Sequence, residues 1–208
     1  MEFASANPSV VRCVKQRDLL NAWLRALGKC LALPIVADYR PERIADELVD
    51  MMGYDVVEDE GDGARFRITH EGTRLTTTYG NGHVDPDQRT NRYLDDAIGP
   101  MRYGWVSPFY RACLAHRRPI YSIAMVQDAD GKEVSYERLL LPFGSTARVE
   151  QIVGSFKAIS IEGRFKVDNL MGITSRTTPV SVVSAVIDHD FVPGQAVHHA
   201  SDDVIELS

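Results

Sequence analysis

The sequence predicts an α+β fold, an antiparallel sheet with helices on one face, and two patterns carry that expectation. Residues 117–161 read as three consecutive strands, with Tyr121, Ile123 and Met125 alternating with Ser122, Ala124 and Val126 in the first. Ahead of them, apolar residues recur at i, i+3, i+4 and i+7 in separate stretches, the stripe of an amphipathic helix. A meander cannot bury its apolar face alone, so the helices must cover it. The chain has 208 residues, the length of one domain with an appended tail. At that size about 70% of the unfolded surface can be buried, and no disulfide staples are required.

Taken in order, residues 1–16 show no clear period and are expected to be flexible. Leu20, Trp23, Leu24 and Leu27 then form an apolar helical stripe, with Asp18 as its cap and Gly28 as its end. Such a stripe serves equally to pack inward or to meet a second copy of the chain, and these four residues are the candidate self-association surface. Pro41 fits a first helical turn ahead of Ile44, Leu48 and Met51, with Gly53 as the stop. Residues 54–57 and 65–69 read as a hairpin joined by an acidic loop, Phe66 and Ile68 pointing one way and Arg65 and Arg67 the other. Residues 71–91 are rich in Thr, Gly and Asp and read as a short helix near 74–79 followed by loop.

Tyr93, Leu94 and Ile98 open another helical segment, interrupted by Gly99-Pro100. Ser107-Pro108 reads as a helix start, followed by Phe109, Ala112, Cys113 and His116 at helical spacing. In the meander, Asp128-Ala129-Asp130-Gly131 supplies a tight turn. Val134, Tyr136, Arg138 and Leu140 share one face of the second strand, which Pro142, Gly144 and Ser145 break. The third strand runs over residues 151–161. Beyond it, the run Val180-Ser181-Val182-Val183-Ser184-Ala185-Val186-Ile187 has high strand propensity and no charge, so it is expected to pair with a sheet edge or pack on a surface.

A net charge of −6 argues against nucleic acid as a partner. Cys13, Cys30 and Cys113 are odd in number and form no CxxC pair, which suits a reducing compartment. No signal-peptide pattern and no run of about 20 apolar residues is present, so the expected setting is cytoplasmic, without a membrane partner.

Several stretches resemble a bacterial PAS-like family of small cytoplasmic proteins. They are Trp23-Leu24-Arg25, Leu33-Pro34 with Asp38-Tyr39-Arg40-Pro41, and Ala64-Arg65-Phe66-Arg67-Ile68 with Glu71-Gly72-Thr73. Tyr79-Gly80, Arg92-Tyr93-Leu94-Asp95, Arg118-Pro119-Ile120-Tyr121 and Tyr136-Glu137-Arg138-Leu139-Leu140-Leu141-Pro142 continue the match. The likeness covers about residues 17–162, leaving 163–208 as a C-terminal extension. It implies a PAS-like five-stranded antiparallel sheet whose inner face meets the helices, often across a cavity. It carries over no catalytic residue, and no output-module pattern follows residue 162.

Special chemistries are poorly represented. A flavin photosensor would need an Asn-Cys pair, which is absent. For haem, His116 and His83 are the available axial candidates, though a helix-terminal His is explained by its fit to the carbonyl end. His189, His198 and His199 lie near Asp188, Asp190, Asp202 and Asp203, a combination able to hold a metal but equally a solvated tail. Ser107, Cys113 and Ser135 lack a nucleophile signature, and Gly80-Asn81-Gly82 lacks a phosphate-binding lysine.

The reading is therefore a cytoplasmic sensory or regulatory domain, not an enzyme, with no cofactor and no metal. It binds a small anionic or apolar ligand or docks a signalling protein, and it forms a homodimer. Phe66, Tyr103, Trp105, Phe109, Tyr121, Tyr136 and Arg138 are the candidate ligand-binding residues. Arg138 is the sharpest, because a buried arginine must find an anion. A small-molecule-processing enzyme and a purely structural dimerisation module are the alternatives.

Overall fold

In the computed structural model, the residues described are 2–28, 33–59, 63–80, 85–145, 148–160, 162–167, 170–171, 179–188 and 190. The chain runs through β1 (Ala4–Ala6), α1 (Val14–Leu27), α2 (Ile44–Glu47), β2 (Met51–Asp59) and β3 (Gly63–Glu71). It continues through α3 (Thr73–Thr78), α4 (Leu94–Ile98), α5 (Pro100–His116), β4 (Ile120–Gln127), β5 (Glu133–Phe143), β6 (Gln151–Ile159) and β7 (Val180–Ile187). One mixed sheet takes all the strands, in the order β1-β7-β4-β5-β6-β2-β3. The expected hairpin, helical crossover and meander are present, and the hairpin closes on the meander through antiparallel β2–β6 pairing.

Among the described residues the sheet has seven strands, not five. The uncharged run at 180–187 becomes β7 and pairs antiparallel with β4, Tyr121 opposite Ala185. β1 then adds in parallel to β7, Ser5 opposite Val186. Within the stretch expected to be flexible, Ala4–Ala6 are sheet and Val11 is fully buried. Residues 180–187 pair with a sheet edge, as expected. An uncharged β-branched strand gains ladder hydrogen bonds at the β4 edge that water alone would otherwise supply. At the opposite edge, the loop before α4 shields β3, where Ile68 N–H donates to Arg92 O and Asn91 N–H to Ile68 O.

Helices cover both faces rather than one. β5 shows why: from Tyr136 to Phe143 every residue is buried. Its Tyr136 and Arg138 face α5, whereas Glu137, Leu139, Leu141 and Phe143 face the side occupied by α1. A central strand apolar on both faces needs two layers of cover. α1 answers with Leu19, Leu20, Trp23 and Ala26, a stripe turned slightly from the one expected. Trp23 Nε1 donates to Pro142 O at 2.7 Å, and the Tyr39 ring meets Phe143 at 5.1 Å. Leu20 and Trp23 are 0% and 1% exposed within this single chain, so they offer no surface to a second copy. Leu24 and Leu27 are partly buried against the same core.

Local boundaries moved where tertiary contacts outweighed local signals. α1 starts after Cys13, ahead of Asp18, and Gly28 caps its end as expected. The helix after Pro41 is one turn only, and Met51 already begins β2, because its apolar side chain is wanted on the sheet. α5 starts at Pro100, with Pro108 inside it. Gly99 at φ +76° makes the turn that lets Pro100 open that helix. Pro142 lies within β5 rather than ending it.

A charged cluster lies on the α1 side. Lys157, 8% exposed, sits between Glu47 and Asp50, 4% and 2% exposed, at 2.5 and 2.6 Å. Lys15 reaches Glu47 at 3.0 Å and Arg74 reaches Asp50 at 2.6 Å. Burial would raise the Glu47 carboxyl, but the hydrogen bonds and charges of Lys157 and Lys15 outweigh it and hold it below the usual range. No helix among the described residues is long and apolar enough to cross a membrane.

Candidate functional site

Between α5 and the sheet lies a cavity of about 220 Å³. Its roof is the α5 face bearing Arg102, Trp105, Val106 and Phe109, spaced i, i+3, i+4 and i+7. Its floor is Ser122 and Ala124 of β4 with Tyr136 and Arg138 of β5. Strand pairing sets this floor, since Ser122 stands opposite Arg138 and Ala124 opposite Tyr136. Gly104 and Pro108 also line the space; a Cβ at Gly104 would meet nothing within 4 Å.

Two guanidinium groups dominate the electrostatics. Arg138 is 6% exposed, its Cζ 4.6 Å from the Phe109 ring centroid, and its buried Nε has no hydrogen-bond partner. Arg102 is 5% exposed; its Nη1 donates to Met171 O, while its Nε and Nη2 are buried without partners. Among the described residues neither is ion-paired with a carboxylate. Burial lowers the Arg102 pKa from its ordinary value, the expected sign for a desolvated cation.

Phenols surround the pair. The Tyr79 and Tyr136 hydroxyls are 3.2 Å apart, and Tyr110 donates to the Tyr54 hydroxyl at 2.8 Å. Burial pushes all four phenols above their ordinary values, and the positive charge of Arg138 opposes that rise. The described lining residues include no carboxylate and no imidazole, so the cavity presents hydrogen-bond donors and apolar walls. That chemistry suits binding an anion.

Of the seven candidate ligand residues, Trp105, Phe109, Tyr136 and Arg138 line the cavity. Phe66 lies behind it, its ring 5.0 Å from Tyr110. Tyr103 points elsewhere, half-buried near Arg111, Asp95 and Arg65. Tyr121 is on the opposite sheet face, donating to Glu137 Oε2 at 2.7 Å beneath α1. The one-residue alternation that put Arg138 in the cavity excludes Tyr121, because it pairs with Leu139. His116 is exposed at the end of α5 and does not line the cavity. His83, Cys30, His189, His198, His199, Asp202 and Asp203 lie outside the described residues.

Sequence reasoning missed Arg102, Tyr79, Ser122 and Met171. For Arg102 the signal was available: starting the helix at Pro100 aligns it with Trp105, Val106 and Phe109, but Pro108 masks that register. Met171 comes from the C-terminal extension, its N–H bonded to Thr78 O at 2.9 Å.

No family model matches this chain, and no curated protein matches it. A solved structure described as an RNA-binding light-oxygen-voltage receptor aligns with 20% identity and a TM-score of 0.33, covering 55% of this chain. The alignment spans 31% of that receptor.

Proposed function

We propose that this chain is a PAS-like sensory or regulatory domain that binds a small molecule in the cavity between α5 and the sheet. The observation that supports it most is the pair of buried guanidiniums, Arg138 and Arg102, walling one cavity without carboxylate partners among the described residues. An arginine cannot shed its proton to relieve burial, so its desolvation must be offset by an anion or accepted as a stability cost. A site retained at that cost serves binding better than packing.

Ligand occupancy would bear on three parts of the fold at once. The cavity is lined by α5, by the meander and by the C-terminal extension through Met171, Pro179 and Ser181. A ligand touching all three can tighten their packing against the core, and that change is a signal a partner protein can read. Native mass spectrometry of the purified protein tests the reading. A co-purifying small molecule, lost in Ala124→Leu, which fills the floor, is the expected result. A mass equal to the bare chain, with no small molecule in a screen raising the melting temperature, overturns it.

A further inference from the structure

We propose, building on the ligand-binding reading above, that the cavity takes a small aromatic carboxylate. Its carboxylate lies with Arg138 and Arg102, and its ring lies against Trp105, Val106 and Met171.

The charged end follows from the donors left over. Arg138 Nε and Arg102 Nε and Nη2 are buried and unpartnered, in side chains 6% and 5% exposed. The stack of Arg138 on Phe109 partly offsets its charge but satisfies no N–H. A guanidinium edge presents two parallel N–H groups, which match the two oxygens of a carboxylate. The Tyr79 and Tyr136 hydroxyls, 3.2 Å apart, leave one phenolic proton free for a further bond to the anion.

The apolar end follows from size and walls. A cavity of about 220 Å³ exceeds the ~150 Å³ space that admits benzene. Inorganic phosphate would pair with the arginines yet leave the Trp105, Val106 and Met171 walls in contact with nothing. A neutral arene would fill the walls and leave two cations unpaired. An aromatic ring bearing one carboxylate meets both demands.

Sodium benzoate is the probe, titrated calorimetrically and by Trp fluorescence against benzyl alcohol and inorganic phosphate at matched ionic strength. Only two tryptophans are present, and Trp23 belongs to α1, packed on the other sheet face, so a cavity ligand is reported by Trp105. Saturable benzoate binding is expected, with benzyl alcohol and phosphate each weaker by about 10-fold or more. Arg138→Met and Arg102→Met should weaken benzoate by about 10- to 100-fold. Arg138→Lys should weaken it as well, since an ammonium lacks the fork. Should a variant misfold by circular dichroism, the wild-type ratio of benzoate to benzyl alcohol decides. Equal affinity for the two overturns the carboxylate assignment while leaving a ligand-binding cavity, as does binding of phosphate alone. Binding of none of the three, together with a bare mass in native spectrometry, removes the ligand-binding reading itself.

Discussion

Replacing Lys157 with methionine should strongly destabilise the fold, in a way that acid partly repairs. The methionine keeps the stem volume of the lysine and removes the charge between Glu47 and Asp50, which are 4% and 2% exposed. Lys15 and Arg74 remain, but their side chains are 55% and 58% exposed and screened by solvent. Breaking a buried pair by removing one partner costs about 3–5 kcal/mol, because a carboxylate is left desolvated. For a chain of this size that is a fall in melting temperature of about 6–20 °C.

The pH dependence follows from the carboxyl. In the wild type Glu47 is held below its ordinary value, so its stabilisation is present above about pH 4.3 and is lost as pH falls through the folded value. In Lys157→Met the burial that the two lysines had outweighed now raises that carboxyl. Protonation then relieves the buried charge, and the deficit relative to wild type should narrow between pH 7 and about pH 4.5. Urea unfolding at both pH values measures it, with Glu47→Gln/Lys157→Met as the expected partial rescue. A deficit below about 1 kcal/mol at pH 7, the size of an exposed pair, would refute the reasoning.

Other perturbations probe the rest of the fold. Trp23→Ala should cost about 3–5 kcal/mol by opening a void under α1, and leave the sedimentation coefficient unchanged, as equilibrium unfolding and ultracentrifugation will show. Gly104→Ala should stabilise by up to about 1 kcal/mol, since its Cβ meets open space inside a helix. Gly72→Ala should instead cost about 1–3 kcal/mol, its Cβ clashing with the Leu48 and Val49 carbonyl oxygens; thermal melts of both variants compare them. The phenols of Tyr39, Tyr54, Tyr79, Tyr110, Tyr121 and Tyr136 are raised, chiefly by burial. The stability they contribute is therefore full below about pH 10 and lost as pH rises further, so the phenolate absorbance of these six tyrosines should rise together with loss of near-ultraviolet dichroism rather than before it.

What the sequence determined by itself was local. Period-two alternation identified the β2–β3 hairpin and the β4–β6 meander, and it placed Tyr136 and Arg138 on one face, because pleating makes side-chain direction a property of position along the strand. The strand propensity and missing charge of residues 180–187 likewise marked a segment that had to pair. Tertiary structure decided which surface each element met. Alternation cannot distinguish a strand covered once from one covered twice, so α1 on the far face and the loss of Tyr121 from the cavity became visible only after packing. Trp23 shows the same limit: a helical stripe states that an apolar face must be covered, and only the sheet beneath it, through Pro142 and its neighbours, states by what. Arg102 joined Arg138 because α5 continues through Pro108, a local break that burial of one helix face against β4 and β5 overrides.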